Sequence, residues 1–204
     1  TFTLDEKGRV HAASGIFHSR LQMLPVDDFP VLPSSPSEAS PTALPRGAFL
    51  DLLKKTRFAT TDDRRFFMNG GLLVLDENQM RMVATDSKRL ALMSAPRVGA
   101  QQPSALIPIK AMDLLITLFE ESTVAEISFV QTDKHLFFDI EGRLLISRTI
   151  DGKFPAWERM VPPDYTYVAV VDRAALLSIV RRAGLVAEVL SLTINETAIA
   201  ITAA

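Results

Sequence analysis

The feature that most constrains this chain is that it repeats itself. Arg46-Gly47-Ala48-Phe49-Leu50-Asp51-Leu52-Leu53-Lys54-Lys55 matches Arg173-Ala174-Ala175-Leu176-Leu177-Ser178-Ile179-Val180-Arg181-Arg182 position by position, at an offset of 127 residues. A second echo pairs Ser19-Arg20…Phe29-Pro30 with Ser147-Arg148…Phe154-Pro155. A third pairs Leu73-x-Leu75-Asp76-Glu77…Met80-x-Met82 with Leu192-x-Ile194-Asn195-Glu196…Ile199-x-Ile201, at an offset of 119. Amphipathic helices resemble one another, so one echo means little; three in the same order point to tandem domains of about 120–130 residues. The reading that follows is the C-terminal part of one copy (1–37), a complete copy (38–162) and the N-terminal part of a third (163–204). The prolines at 33, 36, 41 and 45, interleaved with serines, mark the first boundary, and Pro162-Pro163 marks the second. The third copy is shorter between its helix and next strand, through a shorter loop or through missing residues, with Ala187-Glu188 as the expected break. The chain starts without Met and stops within an alternating run, as expected of a segment of a longer array.

Composition narrows the chemistry. With 22 basic and 24 acidic residues the net charge is −2, which excludes a uniformly basic nucleic-acid coat but not a local basic face. The chain has no cysteine, so disulfides, zinc–thiolate sites and cysteine nucleophiles are excluded. No apolar run is long enough to span a membrane and no signal peptide precedes the first strand, so a cytoplasmic protein is expected.

Within the complete copy, Pro45 followed by Phe49, Leu52, Leu53 and Thr56 on one face predicts an amphipathic helix over 46–58 with a basic outer edge. Short apolar or alternating runs predict strands at 71–76, 80–85, 88–95 and 104–107. Pro108 starts a second helix through Phe119, with Lys110, Asp113 and Thr117 as its polar stripe. Strands at 125–131, 134–140 and 143–150 complete an α+β unit: two helices packed on antiparallel sheets. Gly70-Gly71, after Asn69 at the entry to a strand, reads as a turn.

Catalysis finds little support. His11, His18 and His135 have no neighbours at metal or triad spacing, and no phosphate-cradling glycine loop occurs. No catalytic residue, metal site or cofactor is expected. A hydrolase built on Asp62, Asp63 and a histidine is a weak rival, because Arg64-Arg65 follows directly and neutralises the acidic pair. Three clusters remain. Lys54, Lys55 and Arg57 on the first helix, Arg64-Arg65 after it, Lys110 on the second helix and the recurring Arg181-Arg182 are a solvated surface or a positive track for phosphates. Residues 84–93 centre on a hairpin turn. Phe154-Pro155-Ala156-Trp157-Glu158-Arg159-Met160 at the repeat junction is a plug or a groove for a partner's short hydrophobic segment.

Thr85-Asp86-Ser87-Lys88-Arg89-Leu90, Asp151-Gly152-Lys153-Phe154-Pro155 and Arg65-Phe66-Phe67-Met68-Asn69-Gly70 resemble the β subunit of bacterial DNA polymerase III, the β sliding clamps. The resemblance runs through the whole chain. It implies tandem clamp domains forming part of a homodimeric ring that encircles duplex DNA without reading sequence. Such a ring is a non-catalytic processivity factor, tethering the replicative polymerase and meeting the clamp loader through short linear peptides. On this resemblance Arg64, Arg65 and Phe66 occupy a DNA-touching loop, and Lys54, Lys55, Arg57, Lys110, Arg181 and Arg182 face phosphates. The family's peptide groove maps onto Met68, Thr85, Ser87, Lys88, Arg89, Leu90, Pro155, Arg159 and Met160, its other wall coming from the family's C-terminal segment. This chain departs from the family with Phe66-Phe67 in place of tyrosines, a loop at 60–63 one residue shorter, Ser87-Lys88 in place of Gly-His, and Met68 in place of Leu. The alternative is a tandem-repeat protein-binding scaffold that does not encircle DNA.

Overall fold

Two prolines launch the helices of the central region. The computed structural model describes residues 1–6, 8–36, 40–62, 68–195 and 197–203. Strand β4 (Thr42–Pro45) runs directly into helix α1 (Arg46–Thr56), and strand β8 (Gln102–Pro108) runs directly into helix α2 (Ile109–Glu121). Pro45 and Pro108 are the N-cap residues, at φ −61° and −60° with extended ψ, so each satisfies the strand behind it and the fixed φ a helix start accepts. The predicted first helix ends at Thr56, and Arg57–Ala59 continue as a 3-10 turn.

Three strands follow each helix: β5 (Gly70–Leu75), β6 (Gln79–Thr85) and β7 (Leu90–Pro96) after α1, then β9 (Glu126–Gln131), β10 (His135–Ile140) and β11 (Arg143–Arg148) after α2. The sheets have orders β7-β6-β5-β8 and β11-β10-β9-β4, antiparallel throughout. Each three-stranded meander thus receives as its fourth strand the one that introduces the other meander's helix. The central region is a β-α-β-β-β unit used twice with its first strands exchanged.

Both helices bury one face. Phe49, Leu52, Leu53 and Thr56 of α1 are fully buried, as their spacing predicts. From α2, Met112, Leu115 and Phe119 join them. Phe49 lies 5.6 Å from Phe119 and 6.2 Å from Phe138, and Phe138 lies 5.0 Å from Phe129, ring centre to ring centre, so one aromatic chain links both helices to the β9–β10 pair. The Thr56 hydroxyl donates to the Leu52 carbonyl at 2.7 Å, which removes the cost of burying it.

Arg46 joins the helix ends. Its Nε donates to the Val124 carbonyl and its Nη1 to the Phe119 carbonyl, both at 2.7 Å, while its backbone N–H donates to the Ala125 carbonyl at 2.9 Å. The turn expected at Gly70-Gly71 is not formed: both are the first residues of β5, which starts one residue before the strand predicted at 71–76. A Cβ on Gly70 would collide with the Ile107 carbonyl and lie 2.9 Å from Ile150 Cδ1, and one on Gly71 would lie 2.8 Å from Met82 Sδ. Glycine is required at 70 by the close approach of the β8 backbone, whereas at 71 the near atoms are the flexible ends of Met82 and Met112.

The chain divides into two compact units, 1–155 and 156–204. The first also contains the antiparallel strands β1 (Phe2–Leu4), β2 (Arg9–Ser14) and β3 (Phe17–Gln22). The second contains a 3-10 turn at Trp157–Arg159, helix α3 (Arg173–Ala183) and the hairpin β12 (Leu190–Ile194) and β13 (Ile199–Ala203). The echoes found in the sequence are structural. Helices α1 and α3 both begin at the matching arginine and both have 11 residues. Leu73 pairs with Met82 and Leu75 with Met80, as Leu192 pairs with Ile201 and Ile194 with Ile199. His11 opposite Arg20 in β2–β3 matches His135 opposite Arg148 in β10–β11.

Two glycine substitutions separate packing from helix propensity. Gly70→Ala in the natural full-length protein should lower the unfolding free energy by about 1–3 kcal/mol through overpacking. Gly47→Ala, in open space within α1, should raise it by about 0.4–1 kcal/mol. Denaturant midpoints at unchanged m-value measure both.

Candidate nucleic-acid interface

The basic residues of α1 fall on its outer edge because its inner face is committed to the core. Lys54 and Lys55 are exposed and Arg57 is half-buried in the following 3-10 turn. Each meets a carboxylate. Lys54 Nζ lies 2.5 Å from Glu120 Oε1 and Lys55 Nζ 3.1 Å from Asp51 Oδ2. Arg57 is held bidentately, Nε to Asp113 Oδ1 at 2.6 Å and Nη2 to Asp113 Oδ2 at 2.9 Å, and its Nη1 donates to Thr60 Oγ1 at 2.9 Å. The Asp113 hydrogen bond raises the Arg57 pKa above its ordinary value, with Asp62 adding a smaller attraction. Exposed pairs of this kind contribute about 0.2–1 kcal/mol each.

Lys110, in the first turn of α2, is exposed and has no ion-pair partner among the described residues. Arg181 and Arg182 are exposed in the last turn of α3, where their charge complements the helix dipole. Arg64, Arg65 and Phe66 lie outside the described residues. The acidic partners Asp113 and Glu120 are the functional candidates that sequence reading missed as a pair: Asp113 is visible as part of a polar stripe, but its approach to Arg57 is a tertiary contact.

The second candidate site is the β6–β7 hairpin. Thr85 pairs with Leu90 across a four-residue connection. Asp86 Oδ1 accepts the backbone N–H groups of Lys88 and Arg89, each at 3.0 Å, and its Oδ2 accepts Arg89 Nε at 2.9 Å. The Thr85 hydroxyl donates to the Arg89 carbonyl at 2.8 Å and accepts the Ser87 N–H at 3.2 Å. Ser87 sits at φ +74°, a left-handed conformation in which glycine is at ease. Arg89 is thereby held 5.9 Å from the ring centre of the exposed Phe58, just beyond α1.

The remaining groove candidates divide by exposure. Ser87, Lys88 and Arg89 are exposed and Leu90 is half-buried, whereas Met68 is 3% exposed and Thr85 4%. Thr85 therefore shapes the turn, and Met68 packs inside the first unit. Pro155, half-buried, is the last residue of that unit. Arg159 and Met160, both exposed, belong to the second unit, where the Met160 N–H donates to the Trp157 carbonyl at 2.9 Å. Also within the second unit is a groove of about 860 Å³ lined by Leu176, Ile179, Ile194 and Ile199 among others. No residue of α3 is buried, although Leu176, Ile179 and Val180 stand at the positions of the buried Phe49, Leu52 and Leu53.

The fold is that of a polymerase clamp subunit. A solved structure of the DNA polymerase III subunit beta from Pseudomonas aeruginosa superposes with a TM-score of 0.86 at 26% identity, covering 99% of this chain and 56% of that one. The family model for the DNA polymerase III beta subunit, central domain, matches residues 43–156. The chain belongs to the DNA polymerase III beta subunit family. A beta sliding clamp of Pseudomonas putida is 33% identical over 159 residues, 76% of this chain and 43% of the relative. Another from Caulobacter vibrioides is 32% identical over 171 residues, 80% of this chain and 45% of the relative. The chain thus spans somewhat under half the length of these relatives. None of its helices, among the described residues, is long and apolar enough to cross a membrane.

The hairpin geometry makes a titration testable. Backbone donation from Lys88 and Arg89, with the Arg89 guanidinium, lowers the Asp86 pKa below its ordinary value. A carboxylate depressed on folding stabilises the fold above its unfolded pKa, and that contribution is lost as pH falls through the lower, folded value. The Lys88 and Arg89 amide resonances should move together in an NMR titration, with a midpoint below the free-Asp value of about 3.9. In Asp86→Asn that shared transition should vanish.

Proposed function

We propose that the protein is a sliding clamp, a non-catalytic processivity factor that encircles duplex DNA without sequence preference and tethers the replicative polymerase. The observation that carries this reading is membership of the DNA polymerase III beta subunit family, with beta sliding clamps over 30% identical across three quarters or more of the chain. On this reading residues 1–37 end a first clamp domain, 38–162 are the second, and 163–204 open a third. The matching starts, lengths and apolar positions of α1 and α3 support that division. The complete protein is a cytoplasmic homodimeric ring without cofactor.

Lys54, Lys55, Arg57, Arg64, Arg65, Phe66, Lys110, Arg181 and Arg182 form the DNA-facing set, acting on phosphates and so blind to sequence. Met68, Thr85, Ser87, Lys88, Arg89, Leu90, Pro155, Arg159 and Met160 are the peptide-binding set that the family resemblance assigns, serving short hydrophobic peptides of the polymerase and the clamp loader. Tethering through such peptides raises the local polymerase concentration without any chemical step.

The decisive experiment loads the full-length protein onto nicked circular DNA with its loader and then cuts the circle once. A topological clamp stays on circles and is lost from linear DNA; equal retention on both, or on neither with an active loader, overturns the reading. Arg64→Ala with Arg65→Ala should impair loading. Arg159→Ala or Met160→Ala should weaken a polymerase-derived peptide by about 1–2 kcal/mol in isothermal titration.

A further inference from the structure

Three of the cations proposed to meet DNA, Lys54, Lys55 and Arg57, already face carboxylates. Lys54 and Arg57, three residues apart, sit on one edge of α1 and its 3-10 extension, while Glu120 and Asp113, seven apart, sit on one stripe of α2. The two cross-helix pairs, Lys54–Glu120 and Arg57–Asp113, therefore form a seam of two cations and two carboxylates. The same α2 stripe begins with Lys110, one turn before Asp113, which has no ion-pair partner among the described residues. All four side chains of the seam remain between 31% and 53% exposed, so an arriving anion can reach them.

We infer that Asp113 and Glu120 are internal stand-ins for DNA phosphate. They hold Arg57 and Lys54 in carboxylate contacts that a phosphate must displace, so these two cations exchange one anion for another as the duplex moves. Such a cation adds little to net affinity, because the counterion its phosphate releases is offset by the cation that the freed carboxylate takes up. Exchange between equivalent oxygen anions also leaves no deep minimum at any one phosphate. The inference rests on the clamp reading and deepens it: it names the residues that keep DNA contact weak enough to move.

The test uses the full-length protein and a short linear duplex over a range of salt concentrations. Asp113→Asn and Glu120→Gln should each tighten binding about 3- to 10-fold at low salt and steepen the slope of log K against log salt by about 0.9. Glu121→Gln is the control for bulk charge, since Glu121 pairs with Arg143 and not with a cation of the DNA-facing set. Lys110→Ala is the control for phosphate contact and should weaken binding. Thermal melts of all variants confirm folding, and the two amide substitutions report independently.

An increase confined to Asp113→Asn and Glu120→Gln, abolished when Arg57→Ala or Lys54→Ala is added, carries the inference. An equal increase in Glu121→Gln assigns the effect to net charge and overturns it. Unchanged affinity in both amide variants, with Lys110→Ala weakened, overturns it while the clamp reading stands. No change in any variant, together with no retention on circular DNA, removes both.

Discussion

Arg46 is the tie on which the central domain depends. A helix leaves its last carbonyls without partners, and α2 has no basic residue in its own last turn and an extended residue, Ser122, at its C-cap. The guanidinium of Arg46 supplies what is missing: two donors to carbonyls at and beyond the end of α2, and a positive charge at the negative pole of its dipole. Because Arg46 is also the first residue of α1, the same contact sets the start of one helix against the end of the other. Phe49 then faces Phe119 on the inside, and Lys54 and Arg57 face Glu120 and Asp113 on the outside.

From that tie the topology follows. With α1 and α2 side by side, each sheet can bury its inner face only under a helix, and each introducing strand finds an open edge on the opposite meander. Leu106 marks the junction of the halves, its carbonyl accepting both the Ile150 N–H and the Thr149 hydroxyl at 3.2 Å. Glycine at 70 is the steric condition for that arrangement, because any side chain there would push β5 away from β8.

The long-range repeat was legible because it is written in local patterns. The helix face Phe49, Leu52, Leu53, Thr56 and the alternation Leu73, Leu75, Met80, Met82 are properties of neighbouring residues, and the structure keeps their phase. The shorter repeat within the central domain left a weaker trace: Ala43-Leu44-Pro45 before α1 and Ala105-Leu106-Ile107-Pro108 before α2. The helices behind those prolines differ too much, one basic at its end and one largely apolar, for a pattern match. Gly70-Gly71 misled for a related reason. A glycine pair after asparagine has the composition of a turn, and only the approach of the β8 backbone reveals its purpose.

The site was legible as a set of charges and not as a set of pairs. Arg57 finds Asp113 and Lys54 finds Glu120 across long stretches of chain, so a cation's availability is decided by the tertiary fold and cannot be counted from the sequence. The same limit applies to the hairpin, where the TDxxRL pattern mixes residues of opposite kinds. Thr85 and Asp86 bind the turn's own backbone, while Lys88 is exposed and Arg89, also exposed, is held by Asp86 near Phe58. Ser87 pays for that presentation with a left-handed φ, and an acidic residue beside it is what keeps the turn closed. In a chain of net charge −2, basic positions held by nearby carboxylates make a surface with only a weak pull on any polyanion. On the proposed clamp reading such weak attraction is an advantage, because closure of a ring would fix the association while leaving position along the duplex free.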